Sequence, residues 1–140
     1  MKKLAIVAVA CLCLTACKDD KAEEKKVMDQ ILATHEKVMA ADEQAVNNIA
    51  AIDSLLKANK FTAADSAKEK SDLRTVSTKL NSADDAMGSW MHKFEPEYKA
   101  KSHSDAMNYL NAQRKQIDSI DNELNSANGQ SKKILSKYKK

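Results

Sequence analysis

Residues 21–58 read KAEEKKVMDQILATHEKVMAADEQAVNNIAAIDSLLKA, and their apolar pattern decides the fold class. Met28, Ile31, Val38, Ala45, Ile49, Ile52 and Leu56 recur at the three-four spacing that lines side chains along one stripe of an α-helix. Leu32, Met39 and Val46 widen that stripe beyond two positions per heptad. A widened stripe suits a helix with two neighbours, whereas a two-helix hairpin keeps a narrower seam. The stretch therefore predicts a long helix inside a bundle.

Two further helices follow. The second begins near Thr62, whose hydroxyl caps the first turn with Asp65 three residues on, and its seam is Leu73, Val76, Leu80, Ala83, Met87, Trp90 and Phe94. Pro96 disfavours helix at Glu95 and supplies the stop. The third starts near Ser102 or Ser104, with Ala106, Leu110, Ile117, Ile120, Leu124, Ala127, Ile134 and Tyr138 on one face, and Asn128-Gly129 is expected to bend or fray it. Helices over about 21–58, 62–95 and 103–138 have matched lengths of roughly 50 to 57 Å. The expected fold is all-α: an antiparallel up-down-up three-helix bundle, coiled-coil-like, occupying 27–140. The alternative is a long hairpin that completes its core by dimerising, which keeps a homo-oligomer among the expectations.

Composition supports the helical reading. Among 140 residues there are two glycines and one proline, too few to punctuate a β-sandwich or a doubly wound sheet. Aromatics are 4%, so the core of this single domain is built from small and aliphatic side chains. With 43% hydrophobic against 31% charged residues, the chain has the apolar surface that amphipathic helices need and that a disordered chain lacks.

The amino terminus reads as a targeting segment. Lys2 and Lys3 precede an apolar run over Leu4–Ala16, short of the roughly 20 residues of a spanning helix. Residues 1–16 are therefore expected to be a cleaved signal peptide, with 17–26 a charged linker running into the first helix. Cys11 and Cys13 fall inside the removed part, which leaves Cys17 alone. Removal of Lys2 and Lys3 from 23 basic residues leaves 21 against 20 acidic, a net +1 that carries no message about nucleic acid.

The run closes on Leu14-Thr15-Ala16-Cys17, which resembles the bacterial lipobox. That resemblance implies cleavage before Cys17, a diacylglyceryl group on its sulfur and a further acyl chain, palmitate or similar, on the new amino terminus. Lys18-Asp19-Asp20, a lysine and two acidic residues beside the cysteine, resembles the export signal of Bacteroidota lipoproteins. It implies outer-membrane localisation with display at the cell surface, the alternative being the periplasmic face. The mature chain, above all Met87-Gly88-Ser89-Trp90-Met91-His92-Lys93-Phe94, is similar to small helical lipoproteins of that phylum, some labelled "viral A-type inclusion protein". The closing Lys137-Tyr138-Lys139-Lys140 is similar to the end of Braun's lipoprotein, which implies peptidoglycan attachment through Lys140 as an alternative role. A lysine-ended helix also simply complements the helix dipole.

Aligning the seams sets Met28 level with Phe94, Leu56 with Ser66 and Ile31 near Leu110. At the Cys17 end, Met28, Met87, Trp90, Met91, Phe94 and Met107 gather as core or as an adaptable interaction cluster. At the far end Ala63, Ala64 and Ala67 face Ile52, Leu55, Leu56, Ile134 and Leu135. The same register puts His35 near Met87 and Gln113, so that His35 and Gln113 form a polar core layer. A metal reading of His35 with Met87, Met91 and His92 lacks HxxxH spacing, and no metal site is expected. Asp84-Asp85 reads as exposed charge, and Gly88 as a place where a neighbouring helix packs closely. Without a phosphate loop or assembled catalytic residues, the expectation is a non-enzymatic module with no cofactor. It would meet the membrane through acyl chains on Cys17 and an envelope protein through its helices, with periplasmic chaperone or peptidoglycan tether as alternatives.

Overall fold

The computed structural model describes residues 13–59, 61 and 66–138, with side chains from Asp19 onward except those of Ser66 and Pro96. Residues 1–12 of the expected signal peptide, the expected cap at Thr62 with Asp65, Ala63 and Ala64, and Lys139-Lys140 lie outside the described residues, as do the side chains of Cys17 and Lys18. The described chain forms α1 (Cys13–Ala58), α2 (Ser66–Lys93), a 3-10 turn (Pro96–Ala100), α3 (His103–Leu135) and a closing 3-10 turn (Ser136–Tyr138). These pack as an all-α three-helix bundle.

The ends follow local chemistry. Asn59 takes the left-handed conformation, φ 50°, and its N–H donates to the Leu55 carbonyl at 3.1 Å, closing α1 with a terminal left-handed turn. Glu95 is extended before Pro96, so α2 stops at Lys93 and the proline opens the 3-10 turn instead. Tyr109 of α3 holds that connection, its hydroxyl accepting from the Glu95 N–H at 2.6 Å. Ser102 caps α3, accepting from the Asp105 N–H and donating to the Asp105 carboxylate.

Each helix buries the expected seam, with an instructive exception. On α1, Ile31, Val38, Ala45 and Ile52 are completely buried at intervals of seven, facing Leu73, Leu80 and Met87 of α2 and Leu110, Ile117 and Leu124 of α3. A fully buried aliphatic side chain of this size contributes about 1.5 to 3 kcal/mol. Leu32, Met39 and Val46, expected to widen the stripe, are exposed. The two neighbours both contact the seven-residue line and its near flank, where Met28, Ile49 and Leu56 are half-buried, so the far flank faces solvent.

Cross-helix pairs fix the topology. Gln30 with Arg114, Thr34 with Asp118 and Asn48 with Asn128 rise together, so α1 and α3 are parallel. Lys79 with Gln130 and Phe94 with Tyr109 run oppositely, so α2 is antiparallel to α3.

Three expectations need correction. The helices are unequal, with 46, 28 and 33 residues, α1 beginning at Cys13 and the described α2 running from Ser66 to Lys93. Residues 17–26 are not a linker but helix throughout, held by Glu24 and Val27, both buried. Asn128-Gly129 neither bends nor ends α3, since Asn128 is buried and bonded to α1.

Candidate functional site

The most concentrated chemistry lies where the first turns of α1 meet the start of α3. Asp20, Glu23 and Glu24 share one face of α1, being three and four residues apart, and His103 is the first residue of α3. Its Nδ1 is 3.1 Å from Oε1 of Glu24, and its Nε2 is 3.7 Å from Asp20 and 3.6 Å from Glu23. Lys21 reaches Glu24 from the same helix at 3.0 Å. The Glu24 side chain is only 2% exposed, so it is the buried charge around which the others are arranged.

Electrostatics follow from that burial. Desolvation alone pushes the Glu24 carboxyl up, but hydrogen bonds from Lys21 and His103 and the charges of both outweigh it, holding Glu24 below the usual glutamate value. His103 is raised, first by its hydrogen bond to Glu24, against some desolvation, and then by the charges of Asp20, Glu24 and Glu23. In its charged form it bridges two helices. Tyr98 of the 3-10 turn, 4% exposed, plugs the same end beside Lys21, Glu24 and Met28.

The expected Met and Trp cluster is divided. Met87 and Trp90 are core, Met28, Phe94 and Met107 pack half-buried against it, and Met91 is 44% exposed. Trp90 joins an aromatic ladder, with its ring 5.9 Å from His35 and 5.1 Å from Phe94, which in turn lies 6.1 Å from Tyr109. All three helices contribute to that ladder.

The expected His35 and Gln113 layer is not formed. Both are half-buried, no hydrogen bond joins them, and the His35 ring packs on Trp90. The cause is register between α1 and α2: His35, expected level with Met87, meets Trp90 three residues further along α2, and its ring packs there.

A polar layer exists further along, between Ala41 and Asn48 of α1. The Asn48 amide donates to Oδ1 of Asn128 at 2.9 Å, and the Asn128 amide donates to the Ala41 carbonyl at 2.7 Å. Beside it Asp42 faces Asp84 across α1 and α2, and burial first, then the charge and contact of Asp84, push the Asp42 carboxyl up. Asp84 is thus a half-buried partner rather than simply exposed charge. Gly88 packs against nothing, since a Cβ built there meets no atom within 4 Å.

No known family, curated protein or solved structure matches this chain. Its functional reading therefore rests on its own residues. Among the described residues, no group of His, Cys, Asp and Glu is arranged to hold a metal. The His103 cluster escaped sequence reading although its signal was present. The expected register that sets Ile31 near Leu110, a separation of 79, is also the separation of Glu24 and His103.

Proposed function

We infer that this chain is a lipid-anchored outer-membrane lipoprotein displayed at the cell surface, whose helical bundle acts without catalysis, through contacts with other envelope components. The observation that carries the reading is Leu14-Thr15-Ala16-Cys17 at the end of a short apolar run, followed by Lys18-Asp19-Asp20. Among the described residues no helix is long and apolar enough to cross a membrane, so in this reading the acyl chains on Cys17 are the anchor. Each buried methylene contributes about 0.8 kcal/mol, and two or three chains hold durably where one does not.

The helical course of residues 17–26 gives this anchor a mechanical consequence. Asp20, three residues from the acylated cysteine, is tied through His103 to α3, so the bundle would stand on the membrane without a flexible tether. Its amino-terminal end would face the lipid headgroups, and the flanks of α1 and α2 would remain open to envelope partners.

Protease treatment of intact cells tests the display. Degradation without permeabilisation is the expected result. Protection that is lost on permeabilisation would assign the bundle to the periplasmic face and overturn it.

A further inference from the structure

Leu32, Met39 and Val46 stand seven residues apart on α1 and are 50%, 43% and 53% exposed. Single exposed apolar residues are ordinary on a protein surface, but three large ones in register along one helix form a continuous ridge. On the helix surface each lies three or four residues from His35 or Asp42, the residues that meet Trp90 and Asp84 of α2. The ridge thus runs beside the contact between α1 and α2. Met91, seven residues after Asp84 and so on the same face of α2, is exposed across from it. Gly88 between them leaves open space where every other residue type would place a side chain.

The outer border of this ledge is acidic. Asp29, Glu36 and Glu43 each precede one ridge residue by three positions, and all three are exposed. Asp29 is paired with Lys25, whereas Glu36 and Glu43 have no ion-pair partner among the described residues. Between residues 27 and 56 there are five acidic side chains and one basic, Lys37. From this charge pattern we propose that the ledge is a docking surface for a partner's amphipathic helix that carries apolar residues at heptad spacing bordered by Lys or Arg. Such a helix would lay its apolar stripe on Leu32, Met39 and Val46 and reach Met91 over Gly88, while its cations met Glu36 and Glu43. A second copy of this chain fits less well, because it would bring the same acidic border and no basic one to balance it. An anionic bilayer surface is repelled by that border too.

The inference rests on the reading of the bundle as an interaction module and gives that module its contact face. Its test uses the full chain with two fluorescent 21-residue peptides, both with leucine at heptad positions, one bordered by lysine and the other by glutamate. Anisotropy titrations are expected to show at least tenfold tighter binding of the lysine peptide, weakening as salt rises. Leu32→Gln/Met39→Gln/Val46→Gln should abolish binding, and Glu36→Lys/Glu43→Lys should transfer the preference to the glutamate peptide. All five positions are exposed, and circular dichroism melts are expected to show every variant folded. Equal binding of the two peptides, or binding unchanged in the triple variant, would overturn the proposal. So would a dimer in sedimentation that the triple variant abolishes, which would assign the ledge to a second copy. Membrane fractionation reads the anchor separately. A chain that binds the lysine peptide but is never membrane-bound would remove the lipoprotein reading alone, and an anchored chain that ignores both peptides would remove the docking surface alone.

Discussion

Replacing Asn128 by alanine removes two hydrogen bonds from the middle of the bundle, one of 2.9 Å from Asn48 and one of 2.7 Å to the Ala41 carbonyl. A buried hydrogen bond contributes about 0.5 to 1.5 kcal/mol net, so the pair sets a loss of about 1 to 3 kcal/mol. The lower half of that range is favoured by what remains behind. Ala41 lies inside α1, where its carbonyl keeps its helical partner, and half-buried Asn48 recovers a hydrogen bond from water. Asn48→Ala acts differently. It breaks one bond but strands Oδ1 of an asparagine that is 5% exposed, at about 1 to 3 kcal/mol. Because the two side chains share one bond, the double variant should lose less than the sum of the singles, with a coupling of about 1 kcal/mol. Thermal melts of the four proteins would show this as about 3 to 5 °C of non-additivity in Tm. Strictly additive effects would mean that the two amides do not meet and that the parallel register of α1 and α3 near residue 128 is wrong.

Gly88→Ala should raise stability by about 1 kcal/mol, since the position is an exposed helix interior with open space around it; a fall in Tm would reveal a contact there that the bundle does not show. The His103 cluster predicts a pH window. The raised His103 value means that its contribution is full below about 6.5 and lost as pH rises through the folded value, while the lowered Glu24 value means that its contribution is present above about 4.5 and lost as pH falls through its own. The Tm difference between the wild type and His103→Gln should therefore be greatest in mild acid and shrink towards pH 9, and a flat difference would exclude the ion pair. Asp42 behaves oppositely, for a carboxyl raised by burial and by Asp84 disfavours the folded state when charged. Asp42→Asn should raise Tm at pH 7 and lose that advantage in acid, and destabilisation at pH 7 would contradict the unfavourable pairing.

The fold was legible because its determinants are local. The seven-residue line Ile31, Val38, Ala45 and Ile52, the proline after Glu95 and the cap at Ser102 act within a few positions of themselves. Register was less legible. A seam that repeats every three or four residues matches its neighbour almost as well after sliding one turn, and only polar pairs distinguish the settings. Hence the seams set His35 beside Met87 and Gln113, whereas the bundle gives it to Trp90, three residues further along α2. Asn128-Gly129 is illegible for a related reason: by propensity it breaks helices, and the bonds to Asn48 and Ala41 that override propensity come from α1, 80 and 87 residues earlier. The exposure of Leu32, Met39 and Val46 was hidden because the pattern of one helix shows how wide its apolar face is, not how much of it two neighbours cover. Of the candidate site, the acidic turn was visible but its imidazole partner required the long-range register.

In the proposed function, Cys17 carries the lipid that holds this bundle at the membrane. Mass spectrometry of the amino-terminal peptide, taken from protein extracted from the membrane fraction of its host, tests it most directly. The expected chain begins at Cys17 and carries the mass of a diacylglyceryl group with a further acyl chain, and Cys17→Ser is expected to release the protein from the membrane fraction. A membrane-bound chain whose Cys17 is a free thiol, or that retains the residues before it, would contradict the claim.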